Sequence, residues 1–208
     1  MAQTEQKNQN VKKQFEELQS LLERAMALQT SMVLFEWDDE TLAPKGAAEH
    51  TARVIGSLSE QYQEILASMR FKELLDVCLK AEKENAGVFD EVQSAILREA
   101  AEEQERLSCI PPEEYRAYAE LTARATGIWT RAREKNDFAS FAPVLKEIIS
   151  YQKKFAAYRA KPGQKLYDVM LDTYEKGFNM EMLDPFFELM KGKIVPLLKE
   201  SAERSKMV

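Results

Sequence analysis

FEWDDETLAPKGAAEHTARVIGSLSE, residues 35–60, separates two runs of helical periodicity, and its reading decides the architecture. A Trp, three consecutive acids and a Thr lead into Pro44 and Gly46, which stand one residue apart. Proline lacks an amide donor and glycine has the greatest backbone freedom, so the pair punctuates a helix instead of extending it. Upstream, Val11, Phe15, Leu18, Leu22, Ala25, Met26, Gln29 and Val33 recur at spacings of three and four, with Glu16, Glu17, Glu23 and Arg24 on other faces. That pattern predicts a helix from about residue 5 to about residue 36. Downstream, Thr51, Val54, Ile55, Leu58, Tyr62, Ile65, Leu66 and Met69 mark the apolar face of a second helix. The corner from Trp37 to Gly46 is where the first helix turns back.

The same periodicity runs through the rest of the chain. Phe71, Leu74, Leu75 and Cys78 stripe a short third helix, and the charged KAEKENAG (residues 80–87) reads as a loop. Phe89, Val92, Ile96 and Ala100 stripe a fourth, which is expected to fray into Glu102, Glu103 and Glu105. Pro111 and Pro112 stop the chain, and Pro112 followed by two acids starts a fifth helix carrying Tyr115, Tyr118, Ala119, Thr122, Ala125 and Trp129. A sixth is expected from about Phe141 to Arg159. Leu166 to Tyr174 forms a short seventh closed by Gly177, and the last begins near Asn179 with Phe186, Leu189, Met190, Ile194 and Leu197 buried. In this last helix Pro185 falls near the first turn and Pro196 predicts a kink. SAERSKMV closes the sequence without a capping glycine or a polar tail, as though the helix were cut. No strand-like alternation competes, so the fold class is all-α, with long antiparallel helices in one region spanning residues 1–208.

Composition narrows the function. Apolar residues make up 45% and charged residues 31% of 208 residues, a globular balance with enough chain for a large core. A net charge of −6 argues against nucleic-acid binding, which wants a basic face. No apolar run approaches the roughly 20 residues that span a bilayer, and the polar N-terminus has no signal-peptide core. Cys78 and Cys109 are far apart with apolar neighbours, which reads as buried free thiols in a reducing cytoplasm.

Catalytic constellations are scarce. His50 is the sole histidine, and Glu49 beside it points about 100° away on a helix, so the two cannot chelate together. HExxH, Glu-x-x-His pairs and phosphate-cradling glycine loops are missing, and neither cysteine has an activating neighbour. The densest polar cluster is Asp38, Asp39 and Glu40 after Trp37. It reads either as a substrate-facing corner or as a cap that ends the first helix. Trp37 and Trp129 read as core or inter-helix anchors, and the charge runs as solvated faces.

WDDETLAPKGAAEHTARVIGSLSE (residues 37–60) resembles the N-terminal signature of the carboxypeptidase Taq family of thermostable metallocarboxypeptidases. WTRAREKNDFASFAPVLKEIISYQKKFA (residues 129–156) resembles that family's Trp, Ala-Arg, Asn-Asp-Phe and Phe-x-Pro-x-Leu stretch. LYDVMLDTYEKGFNMEMLDPFFELMKGKIVPLL (residues 166–198) resembles its Tyr-Asp, Leu-Asp and Tyr-Glu-x-Gly segment. Leu42-Ala43 departs from the pattern, where an aromatic or Met is expected before Pro44.

The resemblance implies the N-terminal helical lid and scaffold of a zincin-like enzyme, with a zinc- or cobalt-bound water attacking the last peptide bond of a peptide substrate. It also implies a C-terminal catalytic half holding HExxH, and a common homodimer. None of the family's metal ligands or catalytic residues has a counterpart here, so the chain alone is expected to be inactive. Trp37, Asp38 and Thr41 are the candidate substrate contacts, because unusual residues concentrate at that bend. The competing reading is a stand-alone helical binding module without catalysis.

Overall fold

The computed structural model describes residues 2–44, 46–85 and 87–205, with side chains from residue 6 onward. Lys45, Ala86 and residues 206–208 lie outside the described residues, and with them the middle of the Pro44–Gly46 step, part of the expected 80–87 loop and the very end of the last helix. All regular structure among the described residues is helical, in chain order α1 (Ala2–Thr41), α2 (Ala48–Ala67), α3 (Met69–Glu84), α4 (Glu91–Ser108), α5 (Pro112–Glu134), α6 (Phe138–Arg159), α7 (Leu166–Tyr174) and α8 (Met180–Ser205). The chain forms two compact units, Met1–Gln152 and Lys153–Val208, whose boundary falls within α6.

In the first unit α2 packs against α1, α3, α4 and α5. Its core gathers Val11, Phe15 and Leu18 of α1, Leu66 of α2, Phe71, Leu74 and Cys78 of α3, and Leu97 and Leu107 of α4. Phe15 and Phe89 stack at 5.1 Å between ring centroids. Burying side chains of this size contributes about 1.5–3 kcal/mol each relative to exposure, which lets a helix of 40 residues hold its first half in place.

The joints are built by short polar side chains. Ser68 ends α2 and starts α3 at once, its Oγ donating to Ile65 O at 2.8 Å and accepting from Phe71 N at 3.2 Å. Asp90 and Gln93 form a reciprocal capping box at the start of α4. Pro112 occupies the first turn of α5, where its missing amide removes no helical bond.

Several elements depart from the sequence reading. α3 runs through Glu84, so most of the expected 80–87 loop is helix, with Ala81 buried against the core. α4 does not fray at its acids, because Glu103 accepts a bidentate pair from Arg106 one turn on. α6 starts at Phe138, since Asp137 supplies a cap by accepting from Ser140 N at 3.3 Å. Trp129 is exposed and lies under the Arg133 guanidinium at 5.2 Å rather than anchoring the core. Cys78 is buried as expected, whereas Cys109 is only half-buried.

In the second unit α7 and α8 are joined by a turn in which Gly177 takes the left-handed conformation, φ 81°. Asp172 accepts from Gly177 N at 2.8 Å, and Asp168 accepts from Met180 N at 2.8 Å, fixing the start of α8. Asn179 caps α8 by accepting from Met182 N at 3.0 Å. The expected burial of Phe186, Leu189, Met190, Ile194 and Leu197 does not occur; all five are exposed, and α8 holds no buried side chain. Periodicity identifies the face of a helix that seeks cover, but not which surface supplies the cover.

Candidate functional site

The candidate residues stand on the last turns of α1, not in the corner. α1 continues to Thr41, and the turn is confined to residues 42–47. Thr41 Oγ1 donates to Trp37 O at 2.6 Å, and Leu42 N and Ala43 N both donate to Asp38 O, at 2.9 and 2.8 Å. The two amide bonds close the last turn on Asp38 O, and the Thr41 hydroxyl adds a donor to Trp37 O. The acids therefore do not end the first helix as a cap would; Asp38, Asp39 and Glu40 lie within its C-terminal turns, with no basic residue in the last turn.

That placement is electrostatically unfavourable, because the helix dipole puts partial negative charge where four of five consecutive residues are acidic. Glu36 shows the consequence: partial burial, and then the Glu40 carboxylate one turn away, push its carboxyl above the usual range. Trp37 is 56% exposed and shares a face with Thr41, four residues on. Asp38 is half-buried and Thr41 exposed. Met26 and Val33 continue the Trp37 face toward the N-terminus, both more than half exposed. The structure thus brings Trp37 and Thr41 together on one open, partly apolar strip with Asp38 beside it. This arrangement offers hydrogen-bond acceptors and an aromatic surface, but no nucleophile paired with a base.

No group of three or more His, Cys, Asp or Glu side chains among the described residues could hold a metal ion. His50 is exposed on the first turn of α2. The other distinctive segments likewise resolve into joints. Asn136 adopts the left-handed conformation, φ 52°, that ends α5, and Asp137 then caps α6. Asp168 and Asp172 hold the α7–α8 turn.

Periodicity alone missed three polar networks. Gln63 is fully buried on the apolar face of α2, donating to Leu107 O at 3.1 Å and Ile110 O at 2.6 Å where α4 ends. A glutamine amid an apolar stripe was the available signal. Tyr62 donates to Glu103 Oε1 at 2.9 Å. Burial foremost, with the Glu103 charge and hydrogen bond, drives its phenol far above the ordinary range. On α5, Arg116 bridges Glu60 of α2 and Glu120 one turn away. These groups tie helices together.

Comparison with known proteins places the chain. The family described as carboxypeptidase Taq (M32) metallopeptidase matches residues 17–208. Carboxypeptidase 1 of Bacillus subtilis is 34% identical over 180 residues, covering 86% of this chain and 35% of that protein. The crystal structure of BsuCP superposes with a TM-score of 0.84 at 33% identity, over 90% of this chain and 37% of that one. Metallocarboxypeptidase 1 of Trypanosoma cruzi gives a TM-score of 0.74 at 27% identity, over 94% of this chain and 38% of that one. The chain thus spans little more than a third of the length of these relatives.

Proposed function

Because this chain belongs to the carboxypeptidase Taq (M32) metallopeptidase family, we propose that it is the N-terminal helical lid and scaffold of a metal-dependent carboxypeptidase that removes residues from peptide C-termini. The observation carrying this reading is a family match over residues 17–208 within a chain spanning about a third of its relatives. The described residues do not fit a metal, since no ligand cluster exists among them. The zinc or cobalt of the complete enzyme is therefore assigned to a C-terminal catalytic half, and no chemical step is assigned to side chains of this chain. Residues 1–208 act as a single structural region in this reading. No described helix is long and apolar enough to cross a membrane, and the free thiols support a cytoplasmic setting.

Trp37, Asp38 and Thr41 are proposed to meet the peptide. Their exposure at the end of α1 supports this, as does the electrostatic penalty of an acidic helix terminus, which a cationic or amide-rich ligand would relieve.

A chimera tests both statements. This chain replaces the matching third of Bacillus subtilis carboxypeptidase 1, and release of C-terminal residues is measured with zinc or cobalt present. The chimera is expected to be active and the 208-residue chain inactive. Activity in the chain alone refutes the assignment; a folded, metal-loaded but inactive chimera favours the stand-alone binding module. Asp38→Asn in the chimera should raise KM severalfold, whereas an effect on stability alone removes Asp38 from the substrate site.

A further inference from the structure

Two polar atoms of α2, Ser59 Oγ and Gln63 Oε1, are buried with no hydrogen-bond partner among the described residues. Ser59 is 3% exposed and Gln63 fully buried, and their four-residue spacing stacks them a turn apart on one face of the helix. Contacts on either side set this face against α5 and the corner that precedes it. Gly56 lies against Glu120, Glu60 accepts from Arg116 Nη1 at 2.8 Å, and Gln63 donates to Ile110 O at 2.6 Å. Both atoms are sealed inside the first unit, so a segment packed onto its surface does not reach them.

Turning the Gln63 amide over would not relieve its oxygen. The nitrogen donates to Leu107 O and Ile110 O, and exchanging it for the oxygen would set an acceptor against two carbonyls. The amide orientation is therefore fixed, and Oε1 keeps its lone pairs in the interior. Serine within a helix commonly donates to the carbonyl four residues back, but the Ser59 hydroxyl makes no such bond to Ile55 O, which leaves its proton for another acceptor. Buried polar groups of this kind are costly when unmet, and internal water is the usual means of meeting them.

We propose that one internal water molecule bridges Ser59 Oγ and Gln63 Oε1 as a fixed part of the α2–α5 seam. The Ser59 hydroxyl donates to the water oxygen, and the water donates one proton to Gln63 Oε1. The site calls for a small neutral ligand that both accepts and donates. A metal ion would need a ligand cluster that the described residues do not form, and an anion would be repelled by the amide oxygen. Through Gln63 the water joins the carbonyls at which α4 ends, so α2, α4 and the start of α5 share one polar joint. The inference rests on side chains inside the first unit and is independent of any peptidase role.

A crystal structure of the 208-residue chain at a resolution that shows internal solvent tests the site. A water oxygen is expected about 2.5–3.0 Å from both Ser59 Oγ and Gln63 Oε1. In solution, magnetic relaxation dispersion of water oxygen nuclei counts long-lived waters, and Ser59→Ala should lose one of them with helical circular dichroism unchanged. A Ser59 hydroxyl bonded to Ile55 O, or directly to Gln63 Oε1 with no water between, overturns the proposal. So does a dispersion amplitude that Ser59→Ala in its folded form leaves unchanged, because no long-lived water then depends on that hydroxyl.

Discussion

Gly56→Ala probes the approach of α2 to α5. A Cβ at Gly56 would lie 2.3 Å from Glu120 Cγ, 2.8 Å from its Oε1 and 2.9 Å from its Cδ. Carbon atoms pack at about 3.5–4.0 Å, so Glu120 must move by about 1 Å or more. It is held where it stands, accepting from Arg116 Nε at 3.0 Å while Arg116 Nη1 donates to Glu60 at 2.8 Å. Against this, alanine is favoured over glycine inside a helix by about 1 kcal/mol. Overpacking costs about 1–3 kcal/mol, so the substitution should destabilise by about 1 kcal/mol net. At this chain length that lowers Tm by about 2–4 °C. In a Glu120→Ala background the obstruction is gone and only the propensity gain remains, so Gly56→Ala should stabilise by about 1 kcal/mol. The sign therefore inverts, with a coupling of about 2 kcal/mol. Denaturant unfolding, followed by helical circular dichroism and by fluorescence of Trp129 on α5, measures all four corners of the cycle. Equal stabilisation in both backgrounds would refute the close approach and the role of Glu120 in it.

Other perturbations follow from single groups. Gln63→Leu leaves the carbonyls of Leu107 and Ile110 buried without a donor and should destabilise by about 1–3 kcal/mol in denaturant titration. Burial pushes the Cys78 thiol from its ordinary 9.0 up to about 11, so the unfolded chain loses that proton first. The thiol's contribution is intact below pH 9.0 and lost as pH rises to about 11; Cys78→Ala should be less stable throughout yet show a shallower alkaline decline. Glu36, with its raised carboxyl, opposes folding when ionised, and protonation relieves it. Glu36→Gln should therefore stabilise by a few tenths of a kcal/mol at neutral pH and lose that advantage below the ordinary carboxyl value of 4.5, as thermal melts at the two pH values would show.

The helical class and most element positions were legible because apolar residues at spacings of three and four declare a buried face wherever one exists. The boundaries erred where polar side chains act locally. The charged stretch after Cys78 looked like loop, yet Lys80–Glu84 stays helical because Ala81 reaches the core. The acids after Trp37 looked like a helix stop, yet α1 passes through them, since residues on an open helix end meet no steric bar and the real break waits for residues 42–47. α8 shows the deeper limit. Its stripe is as regular as that of α3, but α3 lies on the core and α8 is uncovered. A sequence pattern records the wish for a partner without recording its identity. The candidate site was legible only as an oddity of composition: Trp37, Asp38 and Thr41 do share an exposed helix end, but their spacing alone could not separate a recognition surface from a joint.

The segments that carry the family resemblance have a common physical character. Asn-Asp-Phe at residues 136–138 ends one helix with a left-handed Asn and opens the next with a capping Asp. Tyr-Asp and Leu-Asp of α7 place two carboxylates on the backbone amides of the following turn, whose Gly177 alone accommodates its positive φ without strain. These two motifs place their distinctive residues where the chain turns, where few side chains satisfy the geometry. Stripe positions accept any apolar residue of suitable volume and so carry little family signal. A match built from joints certifies the path of the backbone, because it is the path that those residues enforce. It does not by itself certify chemistry, which needs side chains converging on one point. Here the joints are intact while no ligand cluster exists among the described residues. Membership of the family is therefore written in the turns of this chain and is a separate property from the convergence of side chains that chemistry needs.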